Sequence, residues 1–199
     1  MPATLPDGRR LFLASTSPFR RELLMRLGLS FSTQAPDADE TRHPGEDARA
    51  LVARLAESKA EAVASHQPAA LVIGSDQAAV LEGEIIGKPG DHARAVRQLQ
   101  RASGQTVVFY TGLCLLDSAS GQRQVAVETF QVTFRTLTST MIERYLRREQ
   151  PYHCAGSFKS EGLGIALFER LEGDDPTSLI GLPLIRLTRM LEAAGVTVL

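Results

Sequence analysis

The sequence predicts an α/β chain: a mixed, curved central sheet flanked by helices, folded as two lobes with a cleft between them. Two observations predict this class. In the first half, short apolar runs alternate with segments of helical periodicity, the local order from which parallel strands are built. Further on, two long alternating segments flank a single turn, an antiparallel hairpin that makes the sheet mixed. The 199 residues contain no internal repeat, low-complexity tract or linker, so 1–199 reads as one domain. With 43% hydrophobic and 23% charged residues, the composition is that of an ordinary folded chain able to bury one sizeable core.

Residues 11–14 are a short apolar run between polar flanks and predict a buried strand. Ser17-Pro18 then reads as N-cap and first helical residue, with Leu23, Leu24 and Leu27 as the buried stripe and Gly28 as the stop. Residues 29–34 alternate like a strand, and 35–45 form an acidic loop rich in Pro and Asp. From 46 to 66 there is no Gly or Pro, and Leu51, Val52, Leu55, Ala62 and Val63 recur at helical spacing, predicting a long amphipathic helix. Residues 71–73 predict a buried strand that ends by delivering Gly74-Ser75-Asp76-Gln77, with 78–81 and 84–86 as two further short strands about Glu82-Gly83. A helix over 91–101 follows. Strands over 106–116 and 124–135 form the hairpin about 117–121. Thr138 caps a helix to 149, residues 164–171 read as a strand, and 183–194 close the chain as a helix carrying Leu184, Leu187 and Leu191.

Lys plus Arg number 22 against 23 Asp plus Glu, a formal net charge of -1. A duplex-binding domain draws much of its affinity from a basic excess, so no nucleic-acid partner is expected. The longest uncharged apolar stretch, 107–116, is about half of the ~20 residues a bilayer span needs, so no membrane role is expected. Arg9-Arg10-Leu11-Phe12-Leu13 resembles the start of a twin-arginine export signal, but the apolar run stops at Ala14 and no h-region follows. Cys114 and Cys154 form no CxxC pair or zinc-spaced cluster and read as buried thiols of a cytoplasmic protein. His43, His66, His92 and His153 show no metal or relay spacing. Of the 22 cations only Lys59, Lys88 and Lys159 are lysines. In a chain this rich in Arg, a retained Lys points to a place where a compact ammonium is needed.

Ser15-Thr16-Ser17-Pro18-Phe19-Arg20-Arg21 puts three hydroxyls and two guanidiniums at a strand-to-helix junction, where free N–H groups favour anions. A capped helix with surface arginines would give the same letters. Asp76 stands where a hydrophobic strand emerges, the common place for a catalytic or metal-binding carboxylate, although an Asp capping a turn reads alike. Asp37, Asp39 and Glu40 could hold a hard cation or simply be solvated. Lys59 lies mid-helix, Lys88 is stiffened between Gly87 and Pro89, and Glu161 sits in a Gly-rich segment.

Taken together, Leu-Ala-Ser-Thr-Ser-Pro-Phe-Arg-Arg at 13–21, Asp39-Glu40, the segment 55–60 with Lys59, Gly74-Ser75-Asp76-Gln77, Gly87-Lys88-Pro89 and Gly181-Leu182-Pro183-Leu184 resemble the Maf family of nucleoside triphosphate pyrophosphatases. The resemblance runs from about Leu11 to Leu191 and implies the Maf/inosine-triphosphatase-like fold. It further implies a cytoplasmic, homodimeric enzyme that uses a divalent metal, Mg²⁺ or Mn²⁺, and cuts between α- and β-phosphates. On this resemblance Asp76 is the proton acceptor, and Ser15, Ser17, Arg20, Arg21, Lys59 and Lys88 bind substrate. Glu40 with Asp76 would be the metal pair. Phe19, Gln77 and Glu161 look like the branch that hydrolyses 7-methyl-GTP, where the branch acting on dTTP and UTP has Arg, Thr and Gln. A pyrophosphatase for dTTP, UTP or CTP is the enzymatic alternative. A non-catalytic nucleotide-binding regulator of cell division is the alternative from another class. A kinase is disfavoured because no Walker-type glycine loop is present.

Overall fold

In the computed structural model, which describes residues 5 and 7–199, strand β1 (Arg10–Ala14) lies between two parallel neighbours. These are β2 (Ser32–Gln34) and β3 (Ala70–Leu81). On its other side β3 pairs antiparallel with β5 (Thr106–Asp117), β5 with β6 (Arg123–Phe134), and β6 with β7 (Phe168–Glu172). The short β4 (Glu84–Ile86) folds back on the end of β3. The result is one mixed seven-stranded sheet in the order β2-β1-β3-β5-β6-β7 with β4 off the path.

Three strands of 12 residues, β3, β5 and β6, run through both lobes. At one end of the sheet, period-2 alternation sends Leu11, Leu13, Leu71, Ile73, Leu113 and Leu115 to one face. There they pack on α1 (Pro18–Met25) and α6 (Leu184–Ala193). Phe12, Ala14, Val72 and Cys114 face the opposite way, onto α2 (Ala48–Ala64). At the other end, α3 (His92–Ala102) and α4 (Ser139–Glu149) cover a separate core that includes Phe109, Phe130 and Phe134. Each Leu, Ile or Phe taken fully from water contributes about 1.5–3 kcal/mol before entropy is counted.

The helix starts follow side-chain capping. The oxygens of Ser17, Asp47, Asp91 and Thr138 accept from Arg20, Ala50, Arg94 and Met141 N–H respectively. Four expectations are corrected. β3 does not end at Gly74-Ser75-Asp76-Gln77 but continues to Leu81, because β5 pairs with it from Leu71 to Val80. The strand expected over 29–34 shrinks to Ser32–Gln34, the part that β1 reaches. The strand expected over 164–171 is a 3₁₀ turn, Leu163–Leu167, followed by β7. Within that turn Gly164 packs so closely on the Lys159 carbonyl that a Cβ would lie 2.2 Å from that oxygen. Finally, Cys114 is buried as expected, whereas Cys154 is only partly so. The sequence reading also missed α5 (Pro176–Ile180), whose Asp175-Pro176 start obeys the same cap-then-proline rule as Ser17-Pro18. No helix among the described residues is long and apolar enough to cross a membrane.

Candidate active site

The continuity of β3 explains the cleft. β1 stops at Ala14, opposite Gly74, and β4 does not begin to pair until Ala79. Between them Ser75, Asp76, Gln77 and Ala78 have β5 on one side and no strand on the other. The chain leaving β1 turns away here through Ser15–Ser17, opening a cavity of about 770 Å³. Asp76 is thus mid-strand, yet it stands where the parallel pairing ends, which retains the logic that places ligands at such switch points.

Helix α2 seals one wall at unusually short range. Gly74 and Gly112 stand directly beneath it, and a Cβ on either would lie 2.0 Å from a backbone oxygen, of Ala56 and Val52 respectively. That approach brings Lys59, 6% exposed in the otherwise apolar face of α2, to Asp76. Lys59 Nζ donates to Asp76 Oδ1 at 2.6 Å and pairs with Glu40 Oε1 at 2.8 Å. The ammonium holds Glu40 below its ordinary carboxylate range, with Lys88 and Arg20 adding to the effect.

Arg20 completes the cationic side. Its Nε donates to the Gly181 carbonyl at 2.9 Å, and it makes no ion pair among the described residues. Burial pulls its guanidinium below the ordinary value, while the carboxylates of Asp76 and Glu40 oppose the shift. A partly buried cation resting on a neutral carbonyl is preorganised for an incoming anion. The same carbonyl lies 2.9 Å from Ser75 Oγ, whose single proton it shares with the Gly112 carbonyl at 2.8 Å. The Ser15 hydroxyl accepts from Ser17 N–H and the Ser17 hydroxyl from Arg20 N–H, so each keeps its own proton to donate.

Of the residues singled out from sequence, Ser15, Ser17, Phe19, Arg20, Glu40, Lys59, Asp76, Gln77, Lys88 and Glu161 line this cavity. Arg21 does not; it is exposed on α1 beside them. Gln77 has a use that its sequence gave no hint of. Its amide nitrogen, with two N–H groups, lies within 2.8–3.0 Å of Thr111 Oγ1 and of the carbonyls of Ser178 and Leu179, bracing α5 against the sheet. Asp175, 4% exposed, accepts from Thr177 and from Ile185 N–H and so ties the starts of α5 and α6 together. Lys159 lies outside the cavity: its Nζ donates to the Glu149 carbonyl at 3.1 Å, anchoring the segment that carries Glu161 to the end of α4.

The acidic loop that carries Glu40 is held by a bidentate pair that sequence reasoning also missed. Arg54 Nε and Nη2 donate to the two oxygens of Glu46 at 2.7 and 2.8 Å, and Nη2 also donates to the Thr41 carbonyl at 3.0 Å. Arg54 pushes Glu46 down to about 2 from an ordinary 4.5. A lowered carboxylate pKa stabilises the fold fully above its unfolded value, and the contribution fades as pH falls from about 4.5 toward 2. Arg54→Met is therefore expected to lower Tm at pH 6, with the gap to wild type closing as pH falls below 4.5. Thermal denaturation across pH checks this, and a gap of constant size would refute the assignment.

A hydroxyl-rich helix start, a partly buried guanidinium and an ammonium between carboxylates meet in one cleft, an arrangement of the class suited to holding an anion. Residues 10–194 match the family of Maf-like proteins, and the chain belongs to that family. It is 62% identical over 194 residues, 98% of each chain, to a protein of Nitrosococcus oceani named 7-methyl-GTP pyrophosphatase. Proteins of the same name from Alcanivorax borkumensis (59% over 186 residues, 94% of each chain) and Polaromonas sp. JS666 (58% over 194, 98% of this chain and 89% of the relative) are similarly close.

Proposed function

We propose that this protein is a nucleoside triphosphate pyrophosphatase that hydrolyses 7-methyl-GTP to 7-methyl-GMP and pyrophosphate, removing a modified nucleotide from the pool. The observation that carries the reading is Asp76 oriented by the buried Lys59 ammonium in a cleft that also presents Arg20 and Lys88. The names of relatives at 58–62% identity support the choice of base.

In the proposed reaction Asp76, its Oδ1 engaged by Lys59, accepts a proton from water as the water oxygen bonds to the α-phosphorus. The bond from that phosphorus to the bridging oxygen breaks, and pyrophosphate leaves. Arg20 and Lys88 neutralise the charge that builds on it, so positioning and electrostatics supply most of the acceleration.

Glu40 and Asp76 each spend one oxygen on Lys59 and keep the other, and no cluster of three or more His, Cys, Asp or Glu ligands occurs among the described residues. Two carboxylates that share a cation with substrate phosphates fit Mg²⁺ or Mn²⁺ better than an all-protein cage would. When bound, such an ion would neutralise phosphate charge and acidify water. A cytoplasmic location and a homodimer are further parts of the proposal, carried by the family resemblance and checked by fractionation and by sedimentation.

Base choice has its own physical support. N7-methylated guanine is a flat cation, and the face of the half-buried Phe19 offers it stacking and cation–π attraction of about 0.5–2 kcal/mol. Glu161, exposed on the cavity rim, can accept from the N1–H and amine edge and offset the charge. Phe19→Arg with Glu161→Gln is expected to narrow the kcat/KM ratio of 7-methyl-GTP to UTP about tenfold or more; an unchanged ratio would exclude this basis of selectivity. The deciding test of function is pyrophosphate release with Mg²⁺ or Mn²⁺ from 7-methyl-GTP, GTP, dTTP, UTP and CTP. Release of orthophosphate instead, or a preference for the unmodified pyrimidines, would overturn the proposal.

A further inference from the structure

Two stretches of the cavity wall come from distant parts of the chain: the Gly87-Lys88-Pro89 turn after β4, and the segment after α4 that carries His153, Cys154, Phe158 and Glu161. One side chain joins them. Gln98 sits on α3, which is anchored in the core by Ala95, Leu99 and Ala102. Its Nε2 donates to the Gly87 carbonyl at 3.0 Å, and its Oε1 accepts from the Ser157 hydroxyl. The orientation of the amide is forced, because a carbonyl can only accept and the hydroxyl is left to donate. Ser157 is fully buried and holds a left-handed backbone, φ +62°, directly after Gly156 at +74°, a conformation a non-glycine residue adopts only when its surroundings impose it. A second tie, Gly90 N–H to the Tyr152 carbonyl at 2.9 Å, joins the same two stretches.

We propose that Gln98 is a positioning residue that sets the Lys88 ammonium and the Glu161-bearing segment at a fixed separation, so that triphosphate and base are read in register. The proposal rests on the nucleotide pyrophosphatase reading above. Neither end of the carboxamide is spare, and no other described side chain hydrogen-bonds both Gly87 and Ser157.

The test is a double-mutant cycle on the full-length protein with 7-methyl-GTP and GTP as substrates. Gln98→Met keeps the length and removes both hydrogen bonds. It is expected to lower kcat/KM for 7-methyl-GTP about tenfold in the wild-type background but less than threefold in Lys88→Ala, where no ammonium is left to misplace. Ser157→Ala cuts only the tie to the Glu161 segment, and is expected to reduce the preference for 7-methyl-GTP over GTP at least threefold. Should Gln98→Met lose its native circular dichroism, Gln98→Glu, which cannot donate to Gly87, is read in the same cycle. Losses that multiply independently in the double variant, or a Ser157→Ala preference equal to wild type, would overturn the proposal. A wild-type protein that releases pyrophosphate from no nucleotide would instead overturn the reading beneath it.

Discussion

Asp76→Asn is expected to lower kcat/KM for the preferred nucleotide by about a thousandfold, with most of the loss in kcat. General bases contribute on the order of 10²–10⁴ in rate, and the amide keeps the volume of the side chain and an oxygen for Lys59 while giving up the capacity to accept a proton. Because the Lys59 contact at 2.6 Å can persist through that oxygen, Tm is expected to stay close to wild type. Steady-state pyrophosphate release beside a thermal melt checks both parts. Full activity in Asp76→Asn would remove Asp76 from the chemistry. Lys59→Met differs in kind, since it leaves two neighbouring carboxylates without their shared cation and is expected to lower stability as well as activity.

The largest effect on stability is expected from Gly74→Ala. The added methyl meets the Ala56 carbonyl oxygen at 2.0 Å and Ala60 N at 2.8 Å, both backbone atoms of α2 that cannot rotate aside. Overpacking of this kind costs about 1–3 kcal/mol and sometimes more. With no flexible neighbour to yield, about 3 kcal/mol is the expected value, which for a chain of this size lowers Tm by roughly 6–12 °C. The helix must lift, and Lys59 rides on it, so activity is expected to fall further than Tm suggests. A melt within 2 °C of wild type would show that α2 does not approach the sheet this closely.

Gly74 and Gly112, both set beneath α2, mark the limit of what the letters convey. The unbroken apolar runs 11–14 and 71–73 were legible because a strand buried on both faces is apolar throughout, and the stripe of residues 51–63 because burial of one helix face writes itself into sequence at a period of 3.6. Caps at Ser17 and Thr138 were legible because the bond they make is local. A small residue opposite a helix 18 positions earlier, as at Gly74, or 60 earlier, as at Gly112, leaves no local trace, so the range at which Lys59 meets Asp76 could not be read. The continuation of β3 past Asp76 was missed for a related reason: its partner, β5, lies some forty residues on and supplies the pairing that the segment's own polarity argued against. Asp76, Lys59 and Glu40 could be named from motif resemblance, whereas their convergence on one ammonium could not. Arg54, Gln98 and Asp175 were passed over because each works through backbone groups that the fold alone brings within reach.

The Gly181 carbonyl, which receives both Arg20 and Ser75, also bears on the order in which the protein is assembled. Its contact with Arg20 spans 161 positions of sequence. During synthesis the helix that carries Arg20 leaves the ribosome 161 residues before the acceptor that aims its guanidinium. The last strand of the sheet, β7, also precedes that acceptor, so a nascent chain can pair its sheet before Arg20 is held in place and before the proposed binding site is complete.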